Sequence, residues 1–132
     1  MIDMAKIRVF TSFDYDNDDD LRIMLLGQAA HKDSPFDIAD WSLKDPLIGD
    51  WKKKIEPRIK AVSQVAVICG HYTNTAAGVA AEVRIARELG KPYFLLAGRA
   101  TGVNTKPSSA LSTDKVYNWT WDNLKKLLDG GR

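Results

Sequence analysis

A carboxylate set into an apolar stripe is the first chemical oddity of this chain. At about 100° per residue, Val79, Val83, Ala86 and Leu89 form one face of a helix, and Glu82 falls inside it. Arg84, Arg87 and Glu88 fall on the opposite side. A carboxylate held there loses hydration, which raises its pKa unless a partner compensates. Two readings follow: a functional group at a crevice, or a structural carboxylate that pairs with a Lys or Arg or reaches solvent from the flank. His71 lies just past an apolar run, as a ligand-edge donor or acid/base, or as a turn histidine bonded to backbone. Cys69 ends that run, and with no basic partner nearby in sequence it reads as core rather than as a nucleophile. Trp41 either walls a site or packs.

The elements that must position these groups alternate. Residues 7–13 read as a first strand and 14–20 as an acidic loop, with Asp18 to Asp20 suited to a helix N-terminus. Leu21 to Ala30 has helical spacing, Phe36 to Ala39 is a short strand, and 41–49 a loop. Trp51, Ile55, Ile59 and Val62 space as a helix in which Pro57 marks either a kink or the start of the regular part. Val65 to Cys69 is apolar on both faces, as a central parallel strand is. Thr75 to Leu89 is a helix closed by Gly90. Pro92 to Ala97 is a fourth strand, 99–113 a loop, and Val116 to Trp121 alternates as a fifth. Asp122 caps a last helix carrying Leu124, Leu127 and Leu128.

This order predicts an α/β fold: a flavodoxin-like three-layer sandwich whose five-stranded parallel sheet runs 2-1-3-4-5. Ligands in such sheets bind beyond the carboxyl ends of the strands, at the switch between strands 1 and 3. The rule gathers Ser12, Phe13, Asp14, Tyr15, Trp41, His71 and Glu82 around one cleft.

The 132 residues fit a single domain spanning 1–132, and a net charge of +2 gives no argument for nucleic acid or a membrane surface. The run Lys52 to Lys54 reads as a solvated helix face. One cysteine rules out an internal disulfide and suits a reducing compartment. The first ten residues have no signal-like apolar region, and no stretch approaches the roughly 20 apolar residues of a membrane helix. A cytoplasmic location is the expectation. The acidic loop is no EF-hand, which needs Gly at its sixth position and Glu at its twelfth, where counting from Asp14 gives Asp19 and Leu25. No metal site is expected. A phosphorylated receiver would end its third strand in Asp, and here that strand ends Cys69-Gly70. No glycine-rich dinucleotide fingerprint and no P-loop is present.

Val67-Ile68-Cys69-Gly70, His71-Tyr72-Thr73, Gly78 to Ala86 and Gly90-Lys91-Pro92 together resemble the third strand and following helix of the TIR-like domains of bacterial Thoeris antiphage defence. Arg8 to Tyr15 is similar to that family's first strand and loop, so the resemblance spans roughly residues 6 to 100. It implies cleavage of the bond between nicotinamide and ribose in NAD, with Glu82 at the position of the family's helix glutamate. It further implies a cyclic ADP-ribose-type signal that reaches an effector by diffusion. NAD, or a related nucleotide, is then substrate and no separate cofactor is expected. Catalytic TIR domains commonly carry Trp four residues before that glutamate, where this chain has Gly78. Phe13, Tyr15 or Trp41 is then the aromatic left to stack on nicotinamide. Non-catalytic TIR modules, assembling through loop and helix surfaces, keep a homo-oligomer open. The Gly78-x-x-x-Glu82 pattern with Ala86 and Gly90-Lys91-Pro92 is also similar to nucleoside deoxyribosyltransferases, whose helix glutamate attacks a nucleoside's anomeric carbon.

Overall fold

The computed structural model describes residues 6–42 and 49–131. Its sheet comprises β1 (Ile7–Ser12), β2 (Phe36–Trp41), β3 (Gln64–Cys69), β4 (Tyr93–Ala97) and β5 (Val116–Asn118). All pairings are parallel and the order is β2-β1-β3-β4-β5. Every residue of β3 is buried, as its two-sided apolar run requires.

Two helices cover each face. Leu21, Leu25 and Ala29 of α1 (Tyr15–Ala29) and Leu124, Leu127 and Leu128 of α4 (Trp121–Leu128) pack on Val9, Phe36, Ile68 and Leu96. Trp51, Ile55 and Ile59 of α2 (Trp51–Lys60) and Val79, Val83 and Ala86 of α3 (Ala77–Glu88) pack on Phe10, Val65, Val67 and Leu95. No helix among the described residues is long and apolar enough to cross a membrane.

Local chemistry moves several boundaries. The acidic stretch 14–20 is not a loop. Asp14 caps α1, its carboxylate accepting from the Asp16 amide at 3.2 Å and its carbonyl from the Asp18 amide at 2.8 Å. Acidic groups in a first turn also suit the helix dipole. Only Asp18 leaves helical geometry, at φ −125° and ψ 20°. The helix that carries Pro57 begins at Trp51, well before it. A 3₁₀ turn, Thr73–Thr75, precedes α3. Gly90, at φ +68°, follows the C-cap Leu89; its amide bonds Arg87 O and the Lys91 amide bonds Ala86 O, the paired closure of a Schellman motif. Trp121 opens α4 rather than ending β5, and Thr120 caps that helix in place of Asp122. Trp41 belongs to β2 rather than to a loop, and the remainder of the expected loop, 43–48, lies outside the described residues.

The pairing of β1 with β2 contains a bulge. Val9 faces Ile38, but Phe10 faces Asp40, so Ala39 is the extra residue. Before the bulge, Phe36 and Ile38 face α1 and α4. Strict alternation would send Asp40 and Ser42 to that same side. Instead Trp41 packs there, and Asp40 turns to Arg58 of α2 at 3.1 Å.

Candidate functional site

Glu82 projects from the middle of α3 toward the carboxyl ends of β1 and β2 and is 1% exposed. Two hydroxyls hold it. Ser12 Oγ and Ser42 Oγ each donate to Oε1 at 2.6 Å. Ser42 in turn accepts from the Phe13 amide at 3.1 Å, and its own amide donates to Thr11 O at 3.0 Å. The carboxyl is therefore fixed by the final residue of β1 and the residue after β2, a junction the sheet itself sets. No Lys or Arg among the described residues bonds it, so neither the ion-pair nor the solvent-flank reading describes it. Burial pushes its pKa up from 4.5 to about 7, against the lowering effect of the two serine hydrogen bonds. The result is a carboxyl that ionises near neutrality, with no hydrogen-bonded second carboxylate or histidine among the described residues. Such a group can answer a developing positive charge or attack an electrophilic carbon.

The other expected site residues divide. Ser12 is on Glu82. Phe13 and Tyr15 have ring centroids 4.7 Å apart, and Phe13 is core at 2% exposure. Trp41 lies on the same α1 side. Between them runs Arg22 of α1, its guanidinium carbon 5.0 Å from the Trp41 ring centroid and 5.9 Å from that of Phe13. Asp14 is occupied as a helix cap, with Asn17 Nδ2 also donating to it at 2.6 Å. His71 stands apart from this group. Its Nε2 meets Thr101 O at 2.6 Å, and its ring packs where Gly102 has no Cβ. That is the turn role. Cys69 is buried with its thiol pushed up to about 12, mainly by desolvation, so it carries no thiolate at neutral pH.

Sequence reasoning missed two neighbours. Ser42 was hidden because the bulge at Ala39 reverses the alternation that would have faced it toward α1. Arg22 was passed over as an ordinary charge among helical apolar positions. A third cluster lies beside β3. Asp18, 2% exposed, meets Arg99 at 3.1 Å, and Arg99 also holds Asp20 at 2.7 Å. Burial raises the Asp18 pKa, with the Arg99 hydrogen bond opposing. A Cβ on Gly70 would lie 2.6 Å from the Asp18 carboxyl carbon, so a side chain there would displace the carboxylate that Arg99 holds. A cleft of about 520 Å3 beyond β4 and β5 is lined by Met24, Arg99, Asn104, Trp119 and Trp121 among others, and none of the expected site residues borders it. No group of three or more His, Cys, Asp or Glu among the described residues is arranged to hold a metal ion.

A family model described as Thoeris protein ThsB, TIR-like domain, matches residues 10–100. The matched span runs from the last three residues of β1 through β4 and contains α3 and each residue bonded to Glu82. No curated protein matches the chain.

Proposed function

Because the chain belongs to the TIR-like domain family of the Thoeris protein ThsB, we propose that it breaks the nicotinamide–ribose bond of NAD and releases a cyclic ADP-ribose-type signal in antiphage defence. The observation that carries this reading is Glu82: a buried carboxyl at the carboxyl ends of β1 and β2, pinned by Ser12 and Ser42, and ionising at about pH 7.

The chemistry matches a single carboxylate. Nicotinamide leaves as a neutral molecule, taking the electron pair of the C1′–N bond, so no acid need protonate it. Positive charge develops on the ribose, and ionised Glu82 stabilises it or captures C1′ as an ester. Attack on C1′ by an atom of the same ADP-ribose then closes a ring, whereas attack by water gives the open product. The cyclic product reaches an effector by diffusion. Ser12 and Ser42 keep Oε1 in place, so the carboxylate need not reorganise as charge appears.

The test is Glu82→Gln, which keeps an oxygen able to accept from both serines but removes the charge. Wild type and variant are incubated with NAD, with and without extract of phage-infected cells, and nicotinamide and nucleotide products are identified by mass. The variant is expected to be slower by on the order of a hundredfold or more, with its melting temperature not lowered. Equal activity would overturn the mechanism.

A further inference from the structure

The two residues that hydrogen-bond Glu82 are each next in sequence to an aromatic ring: Ser12 to Phe13, and Ser42 to Trp41. Neighbours in extended chain face opposite ways. The hydroxyls therefore meet Glu82 on the α3 side, while the rings lie on the α1 side. Arg22 is held between those rings, 5.0 Å from Trp41 and 5.9 Å from Phe13, with its side chain 15% exposed. Only Nε is committed, donating to Asp19 at 2.8 Å. The two terminal amino groups make no hydrogen bond to any described residue.

We propose that Arg22 binds a phosphate of the substrate and selects a nucleotide over a free nucleoside. This rests on the reading of Glu82 as the group that meets the anomeric carbon. A guanidinium stacked on aromatic rings is oriented at little entropic cost, and its free edge presents paired donors that match two phosphate oxygens. Glu82 and Arg22 are each reached from residues 12–13 and 41–42, so a substrate lying over the carboxyl ends of β1 and β2 with its anomeric carbon at Glu82 would extend its 5′-phosphate toward Arg22. The cation also stays on the phosphate side, away from the cationic nicotinamide. Cleavage of an N-glycosidic bond alone does not separate NAD from nucleosides, and Arg22 supplies that distinction.

The experiment compares wild type, Arg22→Gln and Arg22→Lys on NAD and on nicotinamide riboside, which has the same scissile bond and no phosphate. Binding is measured by calorimetry and turnover by nicotinamide release, with melting temperature as the check on folding. Arg22→Gln is expected to weaken NAD binding and raise its KM tenfold to a hundredfold, with kcat changed much less. It should leave nicotinamide riboside unaffected. Arg22→Lys, which keeps the charge without the paired donors, should fall between. Equal loss on both compounds, no loss on NAD, or wild type binding the two equally or not at all would overturn the assignment. Wild type that binds NAD through Arg22 but releases no nicotinamide would overturn the glycosidic mechanism and leave this assignment standing.

Discussion

Glu82 makes opposite demands on stability and on chemistry. Its folded pKa of about 7 lies above the ordinary 4.5, so the folded state binds its proton more tightly than the unfolded chain does. The stability this contributes is present in full below about pH 4.5 and is lost as pH rises through about 7. By pH 8 the burial of the charge costs roughly 3 kcal/mol. In the proposed mechanism the reactive form is the ionised one, so NAD cleavage should rise through the same range and level off above it. Denaturant unfolding at pH 5 and pH 8 checks the stability side. Glu82→Gln should gain roughly 2.5 kcal/mol on wild type between the two values, and a gap that stays constant with pH would mean the carboxyl is not desolvated. The position of Glu82 was legible because one charge interrupts a helical stripe. The switch-point rule brought Ser12 beside Glu82, but Ser42 was not legible, since it reaches that carboxyl only through a backbone irregularity.

At the level of elements, the strands and the middles of helices were legible and the ends less so. A fully apolar β3 and the stripes of α3 and α4 repeat over several turns or residues, so many positions agree. Ends depend on single side chains. Gly90 was readable because a residue at φ +68° favours glycine, and Gly90→Ala should cost about 1 kcal/mol in thermal or denaturant unfolding. The start of α1 was not readable: seven polar residues look like a loop until Asp14 is seen to cap them. At α4, Thr120 and Asp122 are both able to cap, and only the Asn123 amide, 3.1 Å from Thr120 Oγ1, decides between them.

For the whole molecule, the strand order followed from the alternation of elements. The long connection after β4 did not, because its anchors are partners distant in sequence. Arg99 ties that connection to α1 through Asp18 and Asp20, and the Thr105 amide ties it to Gly70 O at 2.9 Å. Arg99→Met would leave Asp18 buried without its cation. The expected loss is about 2 kcal/mol at pH 7, below the usual range for a broken buried pair because Arg99 is itself 29% exposed. The loss should shrink as pH falls, since burial raises the pKa of Asp18 and lets it accept a proton more readily than an exposed carboxylate does. Asp18→Asn combined with Arg99→Met should recover most of the stability in urea titrations. If the double variant is no better than Arg99→Met alone, the buried charge is not what the arginine compensates.

The bulge at Ala39 makes the site a matter of parity as well as identity. Removing that one residue would restore regular alternation along β2 with Asp40, Trp41 and Ser42 on the sides they now take, because Ile38 would then lead directly into Asp40. Ser42 would still face Glu82 and Trp41 would still face α1, whereas keeping Ala39 but pairing it regularly would turn Ser42 toward α1 and Trp41 toward Glu82, exchanging a hydroxyl for an indole at a buried carboxyl. A sheet that kept Ala39 in regular pairing would still have a strand to pair with β1, so a folded protein without a working centre is the expected outcome of that register, and an intact centre that of deleting the residue. In this chain an aligned set of the right amino acids is therefore not a sufficient signature of activity. A relative one residue shorter between Ile38 and Trp41 should be read as having lost the bulge and kept the serine contact to its glutamate, whereas one of equal length that pairs without a bulge has lost it.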